Sequence, residues 1–355
     1  MKFDSLKIGN LTAKVPIIQG GMGVGVSSSK LAAAVANEGG IGIISTAQIG
    51  YTEPDFEKNP LEANLRSLKK HIISAKKNAP NGIIGINVMV ATNNYEEQVK
   101  ASIEAGIDVI ISGAGLPTML PKIVKGSDVK IAPIVSSLKS AKVILKLWDR
   151  HDKVAPDFIV IEGPKAGGHL GFKLDELKDE HLDFDKSVTD IISETKKYAE
   201  KYNKDIPVIV AGGVFDGNDI AHFIKLGANG VQMATRFVVT EECDASQAFK
   251  DAYINCKKED IQIVKSPVGM PGRAIRNTFI EKSSGGHQKI THCYNCLTPC
   301  NPADTPYCIS KALINAVNGN LDEALIFCGE NAYRLNKMTT VKELMDELMT
   351  ELKNA

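Results

Sequence analysis

The sequence predicts an α/β chain folded as a (β/α)8 TIM barrel, with a lid or substrate domain inserted near the C-terminus. Eight strand–helix units follow one another between residues 15 and about 240, the count at which such a barrel closes. The strand runs are apolar throughout rather than alternating, as in a parallel sheet buried on both faces. The segment from Thr240 to about Ser310 breaks the repeat. A doubly wound open sheet is the alternative arrangement of the same units.

The units read as follows. Val15–Gln19 is a short apolar strand closed by Gly20-Gly21-Met22-Gly23. Ser27–Ser29 supplies caps for a helix through Leu31, Ala32, Ala33, Val35 and Ala36, stopped by Gly39-Gly40. Ile41–Ser45 is the second strand, and Pro60–Asn78 the next helix, with a leucine and isoleucine stripe. Ile83–Met89 is the third strand, with the polar Asn87 near its end, and a helix over Glu96–Ala105 ends at Gly106. Asp108–Ser112 is the fourth strand, followed by Gly113-Ala114-Gly115 and a helix over Met119–Lys125. Lys130–Val135 and the helix Ser137–Asp149 form the fifth unit. Asp157–Ile161 is the sixth strand, and Phe184–Tyr202 its helix. Pro207–Ala211, Gly212-Gly213 and the helix Gly217–Leu226 form the seventh. Gly230–Met233 is the eighth strand, running into Ala234-Thr235-Arg236. Residues 1–239 are thus the barrel, 240–310 the lid segment, and 311–355 C-terminal helices that pack on the barrel. Of the two late helical stretches, Cys308–Val317 and Val341–Leu352, one would complete the outer ring.

Composition excludes several classes. The chain has 355 residues, 43% hydrophobic and 24% charged, with 42 basic and 42 acidic side chains. That balance points to neither nucleic acid nor an anionic membrane surface. No apolar run reaches the ~18 residues of a membrane span, and Met1–Lys7 has no signal-peptide core. The chain reads as a cytoplasmic protein acting on a small molecule.

Barrel enzymes carry their chemistry at the C-terminal ends of the strands. Here those ends hold Gln19 to Met22, Asn87, Gly113 to Gly115, Glu162, Gly167 to His169, Gly212-Gly213 and Gln232 to Arg236. The loop Glu162-Gly163-Pro164-Lys165-Ala166-Gly167-Gly168-His169-Leu170-Gly171 combines glycines, whose backbone can approach an oxyanion, with an imidazole. The bland alternative is a Gly-rich turn with a surface histidine. Gly212-Gly213 and Ala234-Thr235 stand where barrels place a phosphate site, after strands seven and eight. Neither a P-loop nor a Gly-x-Gly-x-x-Gly in a strand–turn–helix context occurs.

These residues resemble the 2-nitropropane dioxygenase family, the flavin-dependent nitronate monooxygenases and related flavin enoyl-acyl-carrier-protein reductases. The matching pieces are Gln19-Gly20-Gly21-Met22, Gly85-Ile86-Asn87, Ser112-Gly113-Ala114-Gly115, Ala166-Gly167-Gly168-His169, Ala211-Gly212-Gly213, Gln232-Met233-Ala234-Thr235-Arg236-Phe237 and Arg273-Ala274-Ile275-Arg276-Asn277. The resemblance implies non-covalent FMN. It places Gly21 and Met22 against the flavin ring, with Asn87 hydrogen-bonded to it. Glu162 takes a polar contact position that is often Gln, and Gly113 lies in a further matching loop. Gly167, Gly213, Gln232, Met233, Ala234 and Thr235 are placed on the phosphate, with Gly168 and Gly212 beside them. His169 matches the active-site histidine. The implied activity is oxidation of alkyl nitronates with O2; the alternative is NAD(P)H-dependent reduction of an enoyl thioester. A flavin-binding or metal-sensing protein without turnover is a third reading, and a homodimer is left open.

Cys293-x-x-Cys296-x-x-x-Cys300 with Cys308, beside His292, has metal-like spacing. Reduced thiols packed in the lid are the alternative, and the second glycine–histidine pair, Gly286-His287, reads as loop.

Overall fold

The computed structural model describes residues 3–179 and 181–355. Eight parallel strands close into a barrel: Ile17–Gln19, Ile41–Ser45, Ile83–Met89, Val109–Gly113, Lys130–Val135, Ile159–Glu162, Val208–Ala211 and Gly230–Met233. Each pairs with its sequence neighbour, and the eighth closes on the first through Val231–Ile17, Gln232–Ile18 and Met233–Gln19. The open sheet is thereby ruled out.

The apolar strands bury two different faces. Ile41, Ile43, Val109, Ile111, Phe158, Val160 and Ile209 pack together inside the barrel. Their neighbours Ile44, Ile110, Ile159, Ile161, Val208 and Val210 pack outward against the helices. This is the period of two that a strand imposes, with both faces dry. A hairpin that the sequence reading missed, Leu6–Ile8 with Leu11–Ala13, adds Leu6, Ile8 and Ala13 to the inner cluster. At Gly42 the helix Ser29–Asn37 comes so close that a Cβ would lie 1.9 Å from the Ala32 carbonyl oxygen. Only glycine allows that approach.

The helices Pro60–Asn78 and Phe184–Tyr202 have the predicted bounds. The last helix, Val341–Asn354, completes the outer ring, packing against Gly217–Lys225 and Ser29–Asn37. A Cβ on Gly217 would collide with Glu351 and Leu352. Thr340 caps this helix by accepting from the Glu343 N–H.

Between the eighth strand and that helix the chain forms Gln247–Asn255, a hairpin of Ile261–Lys265 with Pro271–Ile275, Thr278–Ser284 and Ile309–Asn318. The hairpin extends across the barrel mouth, where Gly272 and Arg273 pair with His169 and Gly168. The expected loop at Gly168-His169 is therefore a short strand, third in a sheet whose other two strands come from a distant segment. A separate apolar cluster, including Val264, Phe279, Tyr307 and Leu325, holds this part together. Among the described residues, no helix is long and apolar enough to cross a membrane.

Candidate active site

A cavity of about 280 Å³ opens at the C-terminal ends of the strands. Gly21 and Met22 line it after the first strand, Asn87 and Gly113 at the third and fourth, and Glu162 at the sixth. Gly167, Gly168 and His169 follow, then Gly212 and Gly213, and Gln232, Met233, Ala234 and Thr235 close the ring. The residues assigned to catalysis or cofactor binding thus meet around one cavity, whereas Gly115 and Arg236 of the strand-end list are not on its wall. The segment beyond residue 240 adds Phe249, Tyr253, Leu313, Phe327, Cys328 and Gly329.

His169 is half-buried on this wall. Its Nε2 lies 2.7 Å from Ser266 Oγ, and its ring meets the edge of Phe327 with centroids 4.9 Å apart. Burial pushes its pKa down to about 4, because a low-dielectric surround penalises the imidazolium. The ring is therefore neutral near pH 7. Ser266 Oγ also accepts from the Val268 N–H at 3.3 Å, which fixes the hydroxyl that holds Nε2. Nδ1 is the nitrogen left for a ligand.

Glu162 faces the same cavity, and its Oε1 accepts from the Gly171 N–H at 2.8 Å. Burial pushes its carboxyl up to about 7, opposed by the Gly171 hydrogen bond and by Arg273. A carboxyl raised in the folded state contributes stability that is complete below its unfolded pKa and is lost as pH rises through its folded value. His169, depressed by burial, acts with the opposite sign between about 4 and 6.5. Comparison with Glu162→Gln isolates the carboxyl, since the amide oxygen can still accept from Gly171. Without added flavin, the wild-type melting temperature should fall relative to the variant as pH rises from about 4.5 through 7. Parallel melting curves across that range would show that Glu162 titrates normally.

The loops after strands seven and eight are built to admit a ligand close to backbone. Gly212 and Gly213 have φ of +86° and +105°, values that side chains with a Cβ rarely adopt. Asn331 Nδ2 donates to the Gly213 carbonyl at 2.7 Å. Arg273, 6% exposed, donates to the carbonyls of Pro164 and Ala166 and pairs with Glu330 at 3.3 Å. It holds the loop that leads into Gly167. A Cβ on Gly168 would meet nothing within 4 Å and would take cavity space instead.

Two expectations change. Gln19, grouped with the polar rim, is fully buried and is absent from the cavity wall. Its Oε1 accepts from the Ile43 N–H at 3.0 Å and its Nε2 donates to Ser27 Oγ at 2.9 Å. The first and second strands share only the Ile18–Ile41 pairing, so this side chain extends their ladder and ties down the loop carrying Gly21 and Met22. The second change concerns the thiols. Among the described residues, no group of three or more His, Cys, Asp or Glu side chains is arranged to hold a metal. Cys296 packs against two small apolar clusters, and Cys308 stands at the N-cap position of Ile309–Asn318 with no capping hydrogen bond from its sulfur, packed against one of those clusters. His287 is in a loop, its Nδ1 2.6 Å from the Thr305 carbonyl.

Sequence reasoning missed Ser266, Phe327, Gly329 and Asn331. None follows a barrel strand or lies in one of the glycine motifs, and their approach to the rim depends on the tertiary course of the chain after residue 240.

This chain resembles known proteins along nearly its whole length. A model of the nitronate monooxygenase family matches residues 4–351. A probable nitronate monooxygenase of Staphylococcus aureus (strain Newman) is 30% identical over 300 residues, 77% of this chain and 79% of the relative. One from Staphylococcus saprophyticus is 27% identical over 312 residues, 79% of this chain and 81% of the relative. Among solved structures, FabK from Thermotoga maritima superposes with a TM-score of 0.73 at 26% identity, covering 96% of this chain and 93% of its own. A nitroalkane oxidase of Streptomyces ansochromogenes has the same TM-score at 18% identity, covering 96% of each chain, a likeness of fold. With a family match running almost end to end over a barrel whose rim carries these residues, the chain belongs to the nitronate monooxygenase family of oxidoreductases.

Proposed function

We propose that this protein is an FMN-dependent nitronate monooxygenase that oxidises alkyl nitronates with O2. The observation that supports it best is the placement of a neutral His169 on a glycine-rimmed cavity of about 280 Å³. That volume is near the lower end for a small-molecule or cofactor site. The residues fit FMN. Gly21 leaves the side chain of Asn87 uncovered for a polar contact, since a Cβ there would lie 2.5 Å from Asn87 Cβ. Gly167, Gly213, Gln232, Met233, Ala234 and Thr235 would hold the phosphate, with Gly113, Gly168 and Gly212 leaving the backbone accessible. Met22 would lie against the ring, and Glu162 would supply a polar contact. When bound, FMN supplies the electron transfer between substrate and O2.

The chain's own residues do the remaining work. Ser266 fixes the imidazole through Nε2, so Nδ1 can meet the substrate. A nitronate anion beside the ring favours the imidazolium, since an opposite charge within a few ångströms stabilises the charged form. While neutral, His169 can act as base near the reacting carbon; once protonated, it acts as the electrostatic partner of the anion. Phe327 and Leu313 exclude water from that point.

The likeness to FabK favours a second reading, NAD(P)H-dependent reduction of an enoyl thioester at the same site. Anaerobic mixing decides between them. A nitronate should bleach the flavin absorbance, and admitting O2 should restore it. Bleaching by NADH or NADPH alone, followed by reoxidation with an enoyl thioester, would establish the second reading. Purified protein with no flavin doublet after reconstitution would sink both.

A further inference from the structure

Beside the main cavity lies a second pocket of about 50 Å³. Val24, Ala47, Met89, His169 and Leu313 line both, so the two lie side by side with the imidazole between them. The remaining wall of the second pocket mixes apolar residues, Leu61, Leu297 and Ile309 among them, with polar ones. Its polar residues include Gln48, Asn64 and Ser310, which are bonded to one another. Asn64 Nδ2 donates to Gln48 Oε1 at 2.8 Å, and Gln48 Nε2 donates to Ser310 Oγ at 3.1 Å. Gln98 differs. It is 6% exposed on the helix Tyr95–Glu104, and its Oε1 has no hydrogen-bond partner among the described residues. Its side chain lines the pocket, and a buried amide without a partner is unfavourable, so a polar group that enters beside that amide is favoured.

We propose that the second pocket is a chain-binding subsite, and that this protein selects short-chain substrates carrying a hydrogen-bonding group near the far end, such as an ω-hydroxyl paired with the Gln98 amide. The proposal rests on the main cavity being the reaction site, with the reacting carbon beside His169. The size follows from volume. About 10–15 Å³ accommodates one water-sized group, so about 50 Å³ takes roughly four chain atoms beyond the reacting carbon. Longer chains gain nothing, because further methylenes are not removed from water.

The test uses unreactive ligands whose planar anionic head resembles a nitronate: straight-chain carboxylates from propanoate to octanoate, and their ω-hydroxy counterparts. Each is titrated into the flavin-loaded protein by calorimetry. Affinity should rise about fourfold per methylene, the value of a buried CH₂, and level off about four atoms beyond the head. At that length the ω-hydroxyl should tighten binding about 2- to 10-fold. Gln98→Leu should abolish the hydroxyl preference while keeping the length limit. Leu61→Trp, which fills the pocket from a position off the main cavity, should shorten the limit. A series without a length limit, no binding of any member, or a hydroxyl preference that survives Gln98→Leu would overturn the proposal. Binding does not depend on turnover. A protein that lacks nitronate activity but shows the length limit keeps the subsite and loses only the assigned reaction; one that turns over nitronates with a flat series loses only the subsite.

Discussion

Replacing His169 with alanine lowers turnover ~10²–10⁴-fold, the usual worth of a positioned acid–base group, and leaves FMN bound. The loss follows from where the ring sits. Ser266 Oγ holds Nε2 at 2.7 Å and Phe327 packs on the ring, so His169 has one defined position on the cavity wall. Alanine removes both the proton acceptor and the side chain that divides the main cavity from the second pocket. Cofactor binding should persist, because all the residues assigned to the phosphate except Gly167 lie at or beyond the ends of strands seven and eight, and none of them is replaced. The measurement is single-turnover flavin reduction under saturating substrate, beside the flavin-to-protein ratio. Ser266→Ala supplies the companion result: a smaller loss, since the ring remains but is no longer fixed. Undiminished flavin reduction by nitronate in His169→Ala, together with undiminished reoxidation of NAD(P)H-reduced flavin by an enoyl thioester, would remove this histidine from the mechanism.

The barrel was legible because its signals are local. Runs such as Ile83–Met89 and Val208–Ala211 are too short and too apolar for surface helices, and the glycine pair after the second marks a sharp turn of the backbone. Gly212 and Gly213 carry that demand in their φ angles. What escaped is non-local. Gly168-His169 becomes a strand only because Gly272 and Arg273 arrive from about a hundred residues later. Ser266 looks like any loop serine until that hairpin places it on Nε2. Gln19 misled for a related reason: a polar residue at a strand end reads as a ligand contact, yet here the first two strands pair so briefly that the side chain replaces missing ladder bonds. The cysteine spacing suggested a metal, but spacing fixes only separation along the chain. Cys296 instead joins apolar clusters, and Cys308 packs against one of them at the start of a helix.

Gly213→Val should yield protein with less than about a tenth of the wild-type flavin and an intact barrel. Residue 213 sits at φ +105°, and a Cβ there would lie 2.9 Å from Lys165 Cβ. Valine must therefore either strain the backbone, at about 1–3 kcal/mol for such a conformation, or move the loop away from Asn331, whose amide holds the Gly213 carbonyl at 2.7 Å. Either outcome displaces the N–H groups assigned to the phosphate. The seventh strand ends at Ala211, so the barrel ladder is untouched. Strain alone also needs a control, and the fold supplies one. Gly227 has φ +102° and lies off the cavity wall, with Ile192 Cδ1 3.7 Å from a Cβ placed there. Gly227→Val thus carries similar backbone strain without reaching the site, and should keep its flavin. Flavin absorbance per protein, read beside far-ultraviolet circular dichroism of both variants, separates the cases. Full occupancy in Gly213→Val would place the phosphate elsewhere, and equal loss in Gly227→Val would make the effect one of general destabilisation.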